Sequence, residues 1–116
     1  MEEKRKEPRI KDRVIVHYEI GEGRKIEQEV ASRDISMTGI QISIERNLKD
    51  DFSRWKKLEL QLCVLEDVIP FILKGEVAWI KEDPEDIMGR YLVGIEFISV
   101  DEFQKERLKK YINRKT

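Results

Sequence analysis

The chain has 116 residues, of which 41% are charged and 40% are hydrophobic. This size suits a single domain with its own core, and a formal net charge of −1 provides no overall field to attract nucleic acid or a membrane surface. The longest apolar run, residues 68–73, is short and is interrupted by Pro70, so no segment can span a bilayer. Charged residues follow Met1 without the apolar part of a secretion signal, and we therefore expect a cytoplasmic protein.

The reactive side chains argue against an enzyme. Cys63 is the single cysteine and His17 the single histidine, which excludes an internal disulfide and a cysteine-cluster metal site. The sequence contains no HxxxH or HExxH metal pattern, no GxSxG, no phosphate-binding P-loop and no GxGxxG. We expect no catalytic residues, no metal and no cofactor.

The chain opens on a polar, mildly basic segment. Residues 1–13 contain six Lys or Arg against four Asp or Glu, and residues 101–116 contain six against three. Residues 1–12 cannot bury apolar surface, so we expect them to form a flexible basic arm. Taken alone, such an arm is more often a solvated tail than a binding element.

The middle of the chain has the period of β-strands. Apolar and polar residues alternate in residues 14–18, 40–45, 58–63 and 93–97, as in strands with one face toward a core. Turn signals occur at positions 21–23, 37–39 and 82–86. We count six antiparallel strands within residues 13–98, a number that suits a small closed barrel.

Residues 99–114 change to a helical period, with an apolar stripe on one face. Ser99 and Glu102 have the spacing of a capping box, and Ile98 and Phe103 that of a hydrophobic staple. The predicted fold is therefore mainly β. It is a single domain with a six-stranded antiparallel β-barrel, a C-terminal α-helix and a flexible N-terminal arm.

Two short motifs about 25 residues apart carry most of the functional information. Arg5 and Arg9 form an RxxxR motif, and residues 34–39 read DISMTG, a DxSxxG motif. In this order, and followed by GEVAW at 75–79 and GIEF at 94–97, they resemble the PilZ domain. PilZ domains are bacterial receptors for the second messenger cyclic di-GMP. The resemblance covers nearly the whole chain and implies a β-barrel with a C-terminal helix.

The resemblance implies that the arm binds the ligand. Cyclic di-GMP carries two phosphodiester charges and two guanines, and the planar guanidinium groups of Arg5 and Arg9 can contact phosphate bidentately and stack on a base. Lys4 stands where many family members have a further Arg. It keeps the positive charge without the planar fork, which leaves open whether one nucleotide binds or an intercalated pair.

The second motif fits the guanine. Asp34 can accept hydrogen bonds from the ring N–H and the amino group, and the Ser36 hydroxyl can donate or accept nearby. Gly39 suits a turn that needs a positive φ and lets the backbone approach a ligand. The same residues could simply form an Asx or Ser turn, and both interpretations can hold together.

Tryptophans are the remaining candidates. Trp79 either faces the core or forms a wall beside the purines, where its ring would stack on a base. We expect Trp55 to pack the segment that crosses between the third and fourth strands.

We therefore predict a cyclic di-GMP receptor that changes conformation on binding and relays the signal to an unidentified downstream protein, as a monomer or dimer. One alternative is a PilZ-like adaptor that binds protein and no nucleotide, although such adaptors typically lack both motifs. Another is a small barrel that binds single-stranded nucleic acid, which would need a basic face with exposed aromatic residues. The barrel strands are instead rich in Glu.

Overall fold

The structure is a computed structural model that describes residues 13–20, 24–31, 34–64 and 69–115. Residues 1–12 lie outside this range, and with them the predicted arm and its ligand candidates Lys4, Arg5 and Arg9. No helix within the described ranges is both long and apolar enough to cross a membrane.

The described residues are mainly β and end in one helix. The strands are β1 (Arg13–Ile20), β2 (Arg24–Ala31), β3 (Asp34–Ile35), β4 (Gly39–Ile44), β5 (Lys57–Cys63), β6 (Phe71–Glu82) and β7 (Tyr91–Ser99), and the helix is α1 (Glu102–Lys115). A 3-10 helix, Arg46–Phe52, connects β4 to β5. All strand pairs are antiparallel, in the order β2-β1-β5-β6-β7-β4-β3.

The predicted closed barrel of six strands is not confirmed. The strand order has two ends, β2 and β3, so the hydrogen-bonded sheet is a half-barrel. The segment between the turns at 21–23 and 37–39, which is the predicted second strand, is divided. Strand β2 pairs with β1, whereas Asp34 and Ile35 of β3 pair with β4. Only three residue steps separate Ala31 from Asp34, and β2 and β4 are in contact. The two edges of the sheet therefore approach each other without forming a ladder.

The alternation in the sequence places apolar side chains on the inner face of the sheet. Buried on β4 to β7 are Ile40, Ile42, Ile44, Leu58, Leu60, Leu62, Phe71, Leu73, Val77, Val93 and Ile95. Each such side chain contributes roughly 1.5–3 kcal/mol by leaving water. Most of the outward-facing positions between them are polar or glycine, although Ile72 and Trp79 are also exposed. The candidate site is built from outward-facing positions on β3, β4, β6 and β7.

Helix α1 begins later than the sequence pattern predicts. Ser99 is the last residue of β7, and the Asp101 carboxylate accepts the Gln104 N–H at 2.8 Å, which makes Asp101 the N-cap. The predicted capping box is therefore wrong, because the strand continues through Ser99. Ile98 and Phe103 are both exposed and form no buried staple.

The inner face of α1 packs on the first residues of β6. Leu108, Tyr111 and Ile112 are buried, and the rings of Tyr111 and Phe71 lie 5.7 Å apart between centroids. Arg107 lies over the Phe71 ring at 4.4 Å and donates to the Pro70 carbonyl at 3.0 Å. The helix thus seals one end of the core, at the opposite end of β6 from Trp79.

Replacing Tyr111 tests this packing. Tyr111→Ala should lower the free energy of unfolding by about 3–5 kcal/mol, because it leaves a cavity between α1 and β6. Lys110→Ala on the exposed face of α1 should change it by less than about 0.5 kcal/mol. Urea unfolding followed by circular dichroism measures both. Equal losses in the two variants would show that α1 is not held by its inner face.

Candidate functional site

The DxSxxG motif forms a tight turn between β3 and β4. The Ser36 N–H donates to the Gly39 carbonyl at 2.9 Å, so Met37 and Thr38 are the central residues of the turn. The Ser36 Oγ accepts the Thr38 N–H at 3.2 Å and lies 3.3 Å from the Thr38 hydroxyl. Ser36 is only 4% exposed. Its hydroxyl therefore holds the turn together, and the exposed Thr38 presents a hydroxyl at the surface.

Gly39 is required by sheet packing. A Cβ at this position would lie 2.5 Å from the carbonyl oxygen of Ile95. The obstacle is backbone and cannot swing aside, so only glycine lets β4 lie this close to β7. The expected positive φ is wrong for Gly39, because Gly89 is the one glycine in the described part of the chain with that conformation.

A bulge in β6 brings Trp79 to the outer surface. The register between β6 and β7 shifts between Val77 and Trp79, which leaves Ala78 as an extra residue. Val77 is fully buried, whereas Trp79 is 37% exposed. A Cβ at Gly94 would lie 2.3 Å from the indole Cε2 of Trp79, so the ring occupies the space over Gly94. Of the two placements that the sequence left open, Trp79 takes the surface one.

These features meet in a groove with a cavity volume of about 250 Å³. Four of the residues singled out in the sequence line it: Asp34, Ser36, Gly39 and Trp79. They come from β3, the turn that follows it, β4 and the later strand β6. The fold therefore gathers the second motif and the tryptophan into one place.

The register of the sheet explains how they are gathered. Asp34 pairs with Gln41, Gln41 with Gly94, and Gly94 with Trp79. These four residues, which we call the outer row, cross β3, β4, β7 and β6 in succession. The neighbours of Gln41 and Gly94 along their strands, such as Ile40 and Ile95, are buried. Because side chains alternate between faces, the outer row lies on the outside of the sheet.

Several groove residues were not predicted from the sequence as ligand candidates. Thr38, Gln41, Gly94 and Glu96 also line the groove. Their polar or small character marks them as outward-facing, but nothing in the sequence shows which strands become neighbours. The bulge at Ala78, which turns Trp79 outward, likewise leaves no signal in the alternation.

The described lining of the groove is acidic. Asp34 and Glu96 are its charged members, and it contains no Lys or Arg. Lys81 stands beside it, with its Nζ 5.3 Å from the centre of the Trp79 ring, in cation–π range.

The prediction for Trp55 is wrong. Trp55 does not pack the crossing segment: it is 63% exposed, has a φ of 74° and lies under the Arg54 guanidinium at 4.8 Å. Within the described residues, no three or more His, Cys, Asp or Glu side chains are grouped so as to hold a metal ion.

Filling the space over Gly94 should displace the indole. In a Trp55→Phe background, Gly94→Ala should shift the Trp79 fluorescence emission to longer wavelength, because the ring is pushed into water. It should also destabilise the fold by about 1–3 kcal/mol, as overpacking does. Lys74→Ala, at an exposed position of β6, the strand that carries Trp79, should leave the spectrum unchanged. An unshifted spectrum in Gly94→Ala would contradict the seating of the ring on Gly94.

Comparison with known proteins agrees with this geometry. Residues 3–114 match the family model of the PilZ domain, whereas no curated protein matches the sequence. The fold is similar to that of the Bacillus subtilis inhibitor of motility (MotI/DgrA), with a TM-score of 0.76 and 20% identity over 97% of this chain and 50% of that one. It is also similar to K. pneumonia MrkH in its c-di-GMP complex, with a TM-score of 0.78 and 16% identity over 97% and 52% of the two chains.

A third similar structure is the PilZ domain of YcgR from Escherichia coli with c-di-GMP, with a TM-score of 0.74 and 14% identity over 97% of this chain and 92% of that one. The chain therefore spans about half the length of the first two proteins and nearly all of the third. The match to the family model confirms the resemblance seen in the motifs. The chain belongs to the PilZ domain family.

Proposed function

We propose that this chain is a cyclic di-GMP receptor that binds the nucleotide in the groove on the outer face of its sheet. The observation that carries the proposal is the outer row, which places the Asp34 carboxylate and the Trp79 indole in one groove. Membership of the PilZ family supports it, as do the two similar structures that contain c-di-GMP.

The groove residues divide the recognition of guanine between them. The Asp34 carboxylate accepts hydrogen bonds from the ring N–H and the exocyclic amino group of a guanine. The Trp79 indole offers an apolar face for stacking, which contributes on the order of 1–3 kcal/mol per base in single-strand binders. In this proposal Ser36 and Gly39 act indirectly, because one fixes the turn and the other fixes the strand spacing that align Asp34.

The phosphates require the arm. The described lining of the groove contains no Lys or Arg, so in this proposal the two phosphate charges are met by cations from outside it. We assign this task to Arg5 and Arg9, whose guanidinium groups bind phosphate and stack on bases. Lys4 adds a third positive charge. Lys81, beside the indole, contributes a fourth at the opposite end of the outer row.

Binding and signalling are coupled in this scheme through the order of the arm. Residues 1–12 are polar and have little apolar surface to bury, so we propose that they are flexible without ligand and fold over the groove when it binds. Charge-assisted hydrogen bonds offset the cost of ordering them. The rearranged surface then docks on, or releases, a downstream protein. The proposal involves no catalysis, metal or cofactor, and it places the protein in the bacterial cytoplasm.

The two alternatives receive less support. A PilZ-like adaptor without nucleotide binding has no use for both motifs, yet this chain retains both. A binder of single-stranded nucleic acid would line its groove with cations, whereas the described lining here carries two carboxylates and no cation.

Titration calorimetry with cyclic di-GMP tests the proposal. The natural chain should bind saturably, and the fitted stoichiometry distinguishes one nucleotide from an intercalated pair. Arg9→Ala should raise the Kd about 10- to 150-fold, as expected when charged hydrogen bonds are lost.

The matched control for this titration is Lys6→Ala, which removes one positive charge from the same arm outside the RxxxR motif. Its Kd should rise by much less than that of Arg9→Ala. Absence of binding by the natural chain would overturn the receptor proposal. Equal losses in the two variants would show that the arm acts only through its total charge.

A further inference from the structure

Gln41 occupies the middle of the outer row. It lies between Asp34 on β3 and Gly94 on β7, and it lines the groove. Gly94 has no side chain, and the Trp79 ring fills the space over it. The Gln41 side chain is therefore flanked by a carboxylate on one side and by an indole on the other. Gln41 therefore lies between the Asp34 carboxylate and the Trp79 indole, the two groups already assigned to guanine recognition.

The amide of Gln41 is available to a ligand. The residue is half-buried, and among the described residues its side chain makes no hydrogen bond. Water can hydrogen-bond a half-buried amide, and a ligand that offers a partner with good geometry can replace that water. Ser36, by contrast, already uses its hydroxyl within the turn.

The spacing of the row suits the edge of a guanine. Directly opposed side chains on the same face of neighbouring antiparallel strands lie about 4.5–5.5 Å apart at Cβ. The Watson–Crick edge of guanine carries two donors, the N1–H and the 2-amino group, followed by one acceptor, O6. Asp34 supplies only acceptors, and Gln41 supplies an N–H donor one strand away. The protein groups thus occur in the complementary order.

We propose that the Gln41 side-chain amide donates a hydrogen bond to O6 of the guanine whose N1–H and amino group are bound by Asp34. The inference rests on the proposed function and adds a third reader of the base. An amide can also rotate to present its oxygen. Rejection of adenine, which carries a lone pair at N1, therefore falls mainly to Asp34, whereas Gln41 contributes affinity at O6.

Two substitutions at Gln41 separate this role from a structural one. Gln41→Met keeps the length of the side chain and removes the donor, so the Kd for cyclic di-GMP should rise about tenfold. Gln41→Glu places an acceptor against O6 and should weaken binding more than Gln41→Met does. Thermal unfolding should be similar in both variants and the natural chain, because position 41 lies on the outer face.

Gln61 provides the matched control. It is also a half-buried glutamine on a strand, β5, but it does not line the groove. Gln61→Met and Gln61→Glu should bind cyclic di-GMP with the Kd of the natural chain. The Gln61→Glu variant also measures the effect of one added negative charge, which must be subtracted from the loss in Gln41→Glu.

The inosine analogue of cyclic di-GMP, which lacks the 2-amino group and keeps O6, identifies the atom that Gln41 contacts. Gln41→Met should weaken binding of the analogue and of cyclic di-GMP by the same factor. If the effect of Gln41→Met disappears with the analogue, Gln41 contacts the amino group and the assignment to O6 is wrong. Unchanged Kd values for both Gln41 variants overturn the inference while the receptor proposal stands. Failure of the natural chain to bind overturns both.

Discussion

Strand β4 lies so close to β7 that a Cβ at Gly39 would come within 2.5 Å of the Ile95 carbonyl oxygen. On the other side of that contact, the Thr38 carbonyl accepts the Phe97 N–H at 2.8 Å. The turn that carries the DxSxxG motif is therefore fastened to the backbone of β7 at its last residues. Because β7 is also paired with β6, the position of Asp34 relative to Trp79 is set by hydrogen-bonded backbone. In the proposed receptor, the floor of the groove is therefore held by backbone pairing before the nucleotide binds.

The groove and the arm have different tasks in the proposed receptor. The groove offers hydrogen-bonding groups and an indole face, which suit a base and not a phosphate. In the proposal, cations from the arm supply the positive charge that the described lining of the groove lacks. In the proposal, this division of tasks explains why the arm would change conformation when the nucleotide binds. In the proposal, binding of the nucleotide and closure of the arm over it are coupled energetically, because the arm supplies the cations for the phosphates.

Much of the fold could be predicted from the sequence, because local patterns determine it. The alternation of apolar residues on β4 and β5 predicted which of their side chains face the core, and the change to a helical period predicted α1. The division of the second strand could not be predicted, because it depends on which strands pair. Strand β2 pairs with β1, whereas β3 pairs with β4. The Asp101 cap was missed because the spacing of Ser99 and Glu102 favoured a capping box there. Nothing local in the sequence shows that β7 continues through Ser99.

The candidate site shows the same limit. Asp34, Ser36 and Gly39 could be found from their motif, and the hydrogen bond from the Thr38 N–H to Ser36 lies within that motif. The role of Gly39 depends on Ile95, which is its neighbour only in three dimensions. Gln41 and Gly94 become site residues only through the register of β4 with β7. A bulge of one residue decides which way Trp79 points. Such features arise from strand pairing, and no local pattern encodes them.

The most direct test of the outer-row groove follows the two indole N–H signals in a proton–nitrogen correlation spectrum during titration with cyclic di-GMP. Both tryptophans are exposed, but Trp79 lines the groove and Trp55 does not, so each spectrum contains its own control. The account predicts that the Trp79 signal shifts progressively to saturation while the Trp55 signal stays in place. A Trp79 signal that does not move at saturating nucleotide, or equal shifts of both signals, would contradict it.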